Sequence, residues 1–563
     1  MTLELVLPQV WLDIAFARDP LDDSPLWVNV NPWVQWHRGV KISRRRSHEL
    51  DQVSPGTMTL ELLNSDGRFT PDRPDSPYYP NVKINRPIRV RARWPISPNL
   101  LYSGQATASN ASMFAASDGD LAVDLAVIPP GFSFMRSIRW SGVLWNGELL
   151  YVGGSTVSTP TDQAITVTEG QPYAVQCLAR RGATGPSMVR MFIRWYDVAG
   201  DQLGDSVGAD VTLTTSWQPV TATGTAPAGA EWARVVVEHR VTPGASIDVY
   251  VAALQFEQAP APTTWTSPGR EFIRYRGYVD RWPLAWYNGV LGYAAITCTN
   301  SSKILARASL DDALADFQLS GERIADLLTI AGITDLEHID NGLSQLRLSG
   351  QEEGQKIAPL IRACEVSEAG LFFFRSDGLP AFHDRGRRQA VTNQVLELPA
   401  HLLGSDLTIQ VDDALLYNDI TVRAFDGTEH RSLGATSIGE YGRYSYTLDT
   451  LLPADQIIDR GRAMFRMYEE PRPRAAPITI AAHQVPELWL DLLFLEIGDR
   501  VQVTDLPPEA PSDLLDLWVE GISEVIGDST WEMALDTSPL SGTAALTLDH
   551  FGLGRLDENV LGW

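Results

Sequence analysis

Alternation of apolar and polar residues with a period of two runs through most of the chain, and it restricts the chain to a largely β fold. The segment "GTMTLELLNSDGRFTP" (residues 56–71) alternates and then turns at an Asp-Gly pair, and "PIRVRARW" (residues 87–94) alternates in the same way. Such a pattern places the two sets of side chains on opposite faces of a strand. With 563 residues the chain is too long for one core, so we expect several domains.

A segment of different composition interrupts this pattern between residues 96 and 269. It is rich in Ala, Gly, Ser, Thr and Pro, and it contains short strands at regular spacing, such as "PYAVQCLARR" and "EWARVVVEHRV". This spacing is typical of an all-β sandwich or jelly roll. The flanking segments "RVRARW" and "REFIRYRGYVDRW" suit neighbouring strands of one barrel. We therefore interpret residues 96–269 as a domain inserted at a loop tip, where insertions are best tolerated.

The period becomes helical after Ser301. The segment "SGERIADLLTIAGI" places Ile324, Leu327 and Leu328 on one stripe, and "GQKIAPLIRACEVSEAG" predicts a second helix. Apolar strands on both sides of Ser-Asp-Gly in "LFFFRSDGLPAFHD" predict a hairpin. Strands then resume, and "DLWVEGISEVIGDSTWEMALDTSP" reads as an antiparallel pair.

The predicted fold class is mainly β with a small α+β part, that is, β-barrel domains plus an inserted jelly-roll or β-sandwich domain. The predicted domains are an N-terminal β-barrel (1–95 and 270–301), the inserted sandwich (96–269), a small α+β domain (302–390), a C-terminal β-barrel (391–540) and an extended C-terminal tail (541–563).

The charge balance is strongly acidic, with 45 Lys and Arg against 70 Asp and Glu, for a net charge of −25. Such a chain repels nucleic acid unless it carries a local basic patch. The dense basic run "KISRRRSHE" (residues 41–49) could grip phosphate, although runs like it more often form a solvated loop or pair with acidic neighbours. The cysteines Cys177, Cys298 and Cys364 lie far apart, and we expect buried free thiols in a reducing compartment.

Signals for membranes, secretion and catalysis are missing from the sequence. No apolar run reaches the roughly 18 residues that span a bilayer, and the first residues do not form a signal peptide, so we expect a soluble product. No HExxH, GxSxG or Walker motif occurs, which favours a protein that is not an enzyme. The many carboxylates leave a glycosidase pair as the alternative, with two carboxyls about 5 to 9 Å apart.

The inserted domain is the best candidate for ligand binding, because aromatic rings stack on sugar rings and polar neighbours orient the hydroxyls. In "VRMFIRWYD", alternation places Met191, Ile193 and Trp195 on a core face and Arg194 and Tyr196 on the opposite face. Core packing or a protein interface is the alternative for each aromatic residue. The candidates for carbohydrate binding are Trp140, Trp145, Trp195, Tyr196, Trp217 and Trp232, with Arg194 and His239 as polar companions.

The stretch "ELLNSDGRFTP" has the oxygen-rich composition of a calcium loop, but its middle does not fit one. With Asn64 at the first position, the cation of Arg68 takes the fifth position and Phe69 takes the sixth, where glycine is required. We therefore interpret the Asp-Gly pair as a tight hairpin turn and not as a metal site.

Several of these segments resemble minor tail proteins of long-tailed phages that infect actinobacteria. The resemblance includes "TLELLNSDGRFTPDRPDSPYYPNVKINRPIRVRARW" and "RGYVDRWPLAWYNGVLGYAAITCTNSSKILARASL", and it covers roughly residues 10–95 and 270–540. The helical unit and its hairpin resemble the baseplate-hub family that includes the late-control D proteins. The resemblance implies a tail-hub β-barrel fold and a homotrimeric hub at the tail tip of a virion, assembled in the host cytoplasm.

The same resemblance implies contacts with the distal tail protein, the tape measure protein and other tail-tip proteins. It also implies that DNA passes through the hub channel without being bound specifically, which the acidic balance suits.

The insert resembles carbohydrate-binding modules of the family 4/9 type, through "NLLYSG" and the run from "WYDVAGDQL" to "IDVYVAALQFEQ". Those modules often hold a structural calcium. Asp248 fits the position of one of the family's acids, but the acids near "NLLYSGQATAS" are poorly matched, so we expect no cofactor. The resemblance implies binding to host cell-wall polysaccharide or a purely architectural role. A tail-associated cell-wall glycan hydrolase with such a module is the alternative function.

Overall fold

The structure is a computed structural model that describes residues 7–17, 25–132, 135–154, 163–183, 185, 187–241, 245–311, 314–348, 350, 352–389 and 395–540. This part of the chain is mainly β, with a small α+β part, as predicted. The predicted C-terminal tail, residues 541–563, lies outside the described residues.

The first strands show the predicted alternation. In β5, Ile88, Val90 and Ala92 are fully buried in the core, while arginines occupy the positions between them. This part comprises β1 (Gln9–Ile14), β2 (Val28–Asn29), β3 (Val40–Arg45), β4 (Thr57–Leu63) and β5 (Pro87–Trp94), with two short 3-10 helices (Asn31–Trp33 and Trp36–Arg38) between β2 and β3.

The segment that follows forms two sheets that pack face to face. The order is β13-β12-β16-β9-β6 in one sheet, which β10 and β14 complete to seven strands, and β15-β11-β17-β8-β7 in the five-stranded sheet. Inward residues such as Val175, Met191 and Val235 form a core of their own. The elements are α1 (Ser103–Ala106), β6 (Phe114–Ala116), β7 (Asp120–Asp124), β8 (Ser137–Leu144), β9 (Leu149–Val152), β10 (Ile165–Thr166), β11 (Pro172–Arg181), β12 (Ser187–Tyr196), β13 (Gln202–Val207), β14 (Val211–Leu213), β15 (Gln218–Thr225), β16 (Trp232–His239) and β17 (Ala245–Glu257).

The chain then returns to the first sheet. As the flanking patterns predict, β18 pairs antiparallel with β5, and β20 pairs with both β18 and β4. The returning strands are β18 (Arg270–Arg281), β19 (Leu284–Tyr287) and β20 (Leu291–Thr299).

The predicted helices and hairpin are present after β20. In α3, Ile324, Leu327 and Leu328 are buried, and β24 pairs with β25 around the turn at Gly378. The elements are α2 (Ser302–Leu305), β21 (Gln318–Leu319), α3 (Ser320–Ile330), β22 (His338–Ile339), β23 (Gln345–Leu346), α4 (Ile357–Glu368), β24 (Leu371–Phe374), β25 (Pro380–His383) and α5 (Arg385–Gln389).

The last part of the chain divides between two cores. A three-stranded sheet of β28, β29 and β30 packs with α7 against the core that holds α3 and α4. The elements are β26 (Val395–Pro399), β27 (Ile409–Gln410), β28 (Asp419–Arg423), β29 (Glu429–Leu433), α6 (Ala435–Tyr441), β30 (Ser445–Asp449), α7 (Ile457–Tyr468), β31 (Arg474–Ala475), β32 (Ile478–Ala481), α8 (Trp489–Phe494), β33 (Arg500–Thr504), β34 (Leu515–Ile526) and β35 (Trp531–Pro539).

The N-terminal and C-terminal strands build one continuous sheet of 13 strands, with the main order β2-β1-β5-β18-β20-β4-β3-β34-β33-β26. The junction is the antiparallel pair β3–β34, in which Ser43 lies opposite Ser523. Residues of both parts, such as Val90 and Leu535, belong to one hydrophobic core. The two segments predicted as barrel domains therefore share one sheet and one core.

The Asp-Gly pair after β4 does not form the predicted hairpin, because β4 pairs with β3 and β20 and not with β5. Asn64 instead closes a loop: its Oδ1 accepts from Phe69 N at 2.8 Å, and its Nδ2 donates to Thr70 Oγ1 at 3.0 Å. The ring of Phe69 is buried and stacks on Tyr78 and Trp282. Burial of the Phe69 ring stabilises this loop conformation, although the local turn signal had predicted a hairpin.

The arginines of the basic run pair with carboxylates of the C-terminal strands. Arg44 donates to Glu496 at 2.7 Å, and Arg46 donates to Glu520 at 2.7 Å, with all four side chains buried. The prediction that this run pairs with acidic neighbours is therefore confirmed.

All three cysteines are buried and free, as predicted. Burial raises the pKa of Cys177 and of Cys364 to about 12. Among the described helices, none has the length and apolar character needed to cross a bilayer.

Candidate binding surface of the inserted sandwich

Trp140 and His239, two of the predicted carbohydrate-binding residues, lie inside the sandwich with no exposed surface. Trp140 Nε1 donates to the carbonyl of Asp118 at 2.8 Å. The rings of Trp140 and His239 pack edge to face, with their centres 6.3 Å apart. Burial lowers the pKa of His239. The prediction is wrong for these two residues, because neither presents a ring face to a sugar.

Arg194 and Tyr196 lie on the outer face of the seven-stranded sheet, as the alternation predicts, but that face is largely occupied. Arg194 binds Asp205 through two hydrogen bonds of 2.9 and 3.0 Å, which raise the pKa of Arg194. Tyr196 is fully buried and packs into the core of the 13-stranded sheet, hereafter the large sheet. The prediction that Tyr196 binds carbohydrate is therefore also wrong. Trp145 is 50% exposed at the turn between β8 and β9. These five of the eight predicted residues therefore do not form one surface.

The buried Tyr196 belongs to a junction at which the sandwich docks on the large sheet. Trp232 Nε1 donates to the carbonyl of Trp27 at 2.6 Å, and Trp232 joins the core of the large sheet. Where the chain enters the insert, Arg93 of β5 donates to the carbonyls of Asn99 at 2.8 Å and Leu100 at 3.3 Å. The insert is therefore fixed to the rest of the molecule by packing and hydrogen bonds.

Glu231 adds a pH-dependent element to this junction, because burial raises its pKa from 4.5 to about 8. A carboxyl with a raised pKa in the folded state favours folding while it is protonated, and this contribution is lost as the pH rises from about 4.5 to 8. We expect the Glu231→Gln variant to gain stability over the wild type across this range, by about 1 to 3 kcal/mol at pH 8.

Urea unfolding of wild type and Glu231→Gln at several pH values measures this difference. The same measurement on Glu169→Gln, a substitution at a more exposed carboxylate of the same sandwich, serves as the control. A wild-type to Glu231→Gln difference that is the same at pH 4.5 and pH 8 contradicts the expectation.

The outer face of the five-stranded sheet carries a different set of polar and aromatic residues. Arg180 of β11 lies opposite Tyr250 of β17, and Tyr250 lies opposite Arg139 of β8. Ala179 pairs with Gln218, so Trp217 lies beside Arg180 at the edge strand. We call this surface, formed by Arg139, Arg180, Trp217, Asp248 and Tyr250, the open face.

The alternation of each strand explains why these side chains point outward. Their neighbours Ile138, Ala179, Val249 and Val251 are fully buried in the sandwich core. Since successive strand residues point to opposite sides of a sheet, the intervening arginines and tyrosine must lie on the outer side.

Contacts between the side chains order the open face. The guanidinium carbon of Arg180 lies 6.0 Å from the ring centres of both Trp217 and Tyr250. Arg139 donates to Asp248 at 2.8 Å, and this hydrogen bond raises the pKa of Arg139. Burial raises the pKa of Tyr250, so its hydroxyl stays protonated at neutral pH.

The loop after β7 forms one wall of the open face. Trp217 Nε1 donates to the carbonyl of Ile128 at 3.2 Å, and Ser137 Oγ donates to the carbonyl of Val127 at 2.6 Å. Because β7 and β15 are the two edges of this sheet, the loop crosses the sheet to reach Trp217. The open face is therefore a shallow groove in which Trp217, the two arginines and Asp248 are partly exposed, whereas Tyr250 is only 9% exposed. Asp124 of β7 lies near Arg139 on the same face.

This arrangement is suited to a sugar polymer. Ring faces of Trp and Tyr stack on the C–H faces of sugars, and guanidinium and carboxylate groups bond to hydroxyls. Trp217 was among the predicted residues, whereas Arg139, Arg180 and Tyr250 were not. The alternation of "SIDVYVAAL" indicates that Asp248 and Tyr250 share a face, but only the strand register brings Arg139 and Arg180 beside them.

Metal binding finds no support in the described ranges, where no three His, Cys, Asp or Glu side chains are grouped to hold an ion. Asp248, the acid that fits the calcium position of the resembling modules, is bound by Arg139.

Comparison with known proteins finds distant similarities to solved structures. No protein-family model and no curated protein matches the chain. Among solved structures, the 43 kDa tail protein of prophage MuSo2 from Shewanella oneidensis has 10% identity over 94% of this chain and 97% of that chain, with a TM-score of 0.39. The CBM22-1 xylan-binding domain of Paenibacillus barcinonensis Xyn10C has 15% identity over 26% of this chain and 87% of that domain, with a TM-score of 0.20. The enzymatically active domain of tailspike protein 4 of bacteriophage CBA120 has 17% identity and a TM-score of 0.23, and the match covers 29% of this chain and 22% of that chain.

Proposed function

We propose that the chain is a structural protein of a phage tail, which forms a homotrimeric hub around the DNA exit channel at the tail tip. The observation that carries this proposal is that the chain folds into two separate sets of sheets, one from the flanking segments and one from the insert. The segments that resemble tail proteins, near residues 10–95 and 270–540, build the shared 13-stranded sheet and its core together with the α+β unit. The segment between them folds into separate sheets. The residues that resemble tail proteins therefore coincide with one structural part of the molecule, and the insert forms another.

Charge supports the passage of DNA without specific binding. The net charge is −25, and the three arginines of the basic run form ion pairs with Glu496, Asp536 and Glu520. The pairs of Arg44 and Arg46 are buried. Phosphate binding requires free cationic side chains, because it releases counterions from DNA.

The hairpin of β19 and β20 is our candidate for a contact between copies of the chain. Val290 at its tip is 85% exposed, and Trp286 and Leu291 beside it are 59% and 43% exposed. Clustered exposed apolar side chains usually mark a protein interface. The partners proposed for the assembled hub are the distal tail protein, the tape measure protein and other tail-tip proteins.

We expect the purified protein to have a native mass of about three times 62.0 kDa. Val290→Asp should shift it towards the monomer, because a carboxylate is strongly disfavoured in an apolar contact. Val411→Asp, at a residue that is 61% exposed elsewhere, is the matched control and should leave the mass unchanged. Native mass spectrometry measures this, and a wild-type protein that remains a monomer at high concentration contradicts the trimer.

We further propose that the inserted sandwich binds host cell-surface glycan through the open face, and that the chain is not an enzyme. The groove of Trp217, Arg180, Tyr250, Arg139 and Asp248 supports glycan binding. Incubation with host cell wall separates this proposal from the alternative, a tail-associated glycan hydrolase. Retention of the protein without release of soluble sugar is expected, and release of soluble sugar would favour the hydrolase.

A further inference from the structure

Arg180 differs from the other arginine of the open face in its partners. Arg139 forms an ion pair with Asp248 at 2.8 Å. For Arg180, the described residues supply one hydrogen bond, from Nε to the carbonyl of Arg181 at 3.3 Å, and no carboxylate within ion-pair distance. The terminal nitrogens of Arg180 are thus available to a ligand.

The position of Arg180 is set by the two aromatic rings of the groove. Its guanidinium carbon is equally far, at 6.0 Å, from the ring centres of Trp217 and Tyr250. A sugar that stacks on Trp217 places its substituents beside this cation.

We propose that the open face binds an anionic glycan, with Arg180 as the residue that recognises a carboxylate or phosphate group on the sugar. The inference rests on the proposed glycan binding by the inserted sandwich and adds the class of ligand. The planar guanidinium donates two parallel hydrogen bonds to a carboxylate or a phosphate. Trp217, which is partly exposed, stacks on the sugar ring, while the Arg139–Asp248 pair bonds to its neutral hydroxyls.

The test measures binding of the full-length protein to three polymers: polygalacturonate, which carries carboxylates, poly(glycerol phosphate), which carries phosphates, and neutral xylan. Isothermal calorimetry is performed at low and high salt, with wild type, Arg180→Gln and Trp217→Ala. Arg190→Gln is the matched control, because Arg190 lies on β12 of the other sheet, where it pairs with Glu238 at 2.7 Å. Thermal unfolding shows whether each variant is folded.

We expect the wild type to bind at least one acidic polymer more tightly than xylan, with an affinity that falls at high salt. Arg180→Gln should weaken binding to that polymer about tenfold, which is the usual effect of one charge-assisted hydrogen bond. Arg190→Gln should bind as the wild type does, and Trp217→Ala should lose binding to every polymer. The acidic polymer that binds more tightly identifies the group as carboxylate or phosphate.

Wild-type binding to xylan alone, or unchanged binding of Arg180→Gln to the acidic polymers, overturns the anionic preference and leaves glycan binding intact. A folded wild type that binds none of the three polymers and is not retained by host cell wall overturns the proposed glycan binding itself.

Discussion

Replacement of Arg274 by alanine should lower the free energy of unfolding by about 3 to 5 kcal/mol, because it leaves a buried carboxylate without a counter-charge. Arg274 and Glu524 are both buried, and two hydrogen bonds of 2.8 and 3.2 Å join them. Arg274 Nη1 also donates to the carbonyl of Leu493 at 2.7 Å. This pair connects β18, which belongs to the N-terminal part of the 13-stranded sheet, to β34, which belongs to its C-terminal part.

Arg423→Ala is the control for this measurement. Arg423 pairs with Glu429 at 2.7 Å, but both side chains are about half exposed, so the unfolding midpoint should barely change. Glu524→Gln should also be costly, because the buried guanidinium of Arg274 then lacks its counter-charge. Denaturant unfolding followed by circular dichroism reports all three variants. Equal midpoints for Arg274→Ala and Arg423→Ala would show that the buried pair does not stabilise the sheet.

Trp232→Ala should be similarly costly, at about 3 to 5 kcal/mol, and it should loosen the insert from the large sheet. The indole is almost completely buried, and its Nε1 donates to Trp27 O at 2.6 Å. Its removal leaves a cavity at the junction and an unpaired carbonyl. Trp232→Phe keeps most of the buried ring and loses the donor, so it should cost about 1 kcal/mol.

Limited proteolysis and denaturant unfolding together measure this effect. Trp145→Ala is the matched control, because Trp145 belongs to the same sandwich and is half exposed. We expect faster cleavage between the insert and the large sheet in Trp232→Ala only. If Trp232→Ala and Trp145→Ala behave alike, the junction does not hold the insert in place.

Local patterns predicted the elements of this fold well. The stripe of Ile324, Leu327 and Leu328 became the buried side of α3, and the Ser-Asp-Gly turn joined β24 and β25. The alternation of "VRMFIRWYD" assigned Met191, Ile193 and Trp195 to the core, where they lie. Periodicity reports which side of an element is apolar, and this information is local.

Features that depend on distant parts of the chain were not predicted. Ser43 and Ser523 face each other in the shared sheet although 480 residues separate them. The Asp-Gly pair near Asn64 indicated a hairpin, but burial of Phe69 outweighed it. Tyr196 was correctly placed on an outer face, yet no local signal shows that the large sheet covers it.

The candidate site shows the same limit. The sequence identified Trp217 as a candidate aromatic residue and predicted the strand that contains Tyr250. Arg139, Arg180 and Tyr250 come from three strands, and only the pairing of β8, β17 and β11 places them in one row. A ligand surface that spans several strands therefore requires the register, which the sequence pattern does not contain.

The proposed hub is tested most directly by a cryo-EM map of the intact tail tip of phage particles whose genome carries this chain. We expect three copies in a ring at the end of the tail tube, with the 13-stranded sheets around the channel and the open face of each sandwich accessible from outside. A tail tip whose density contains no copy of this fold, or places it away from the channel, would contradict the proposal.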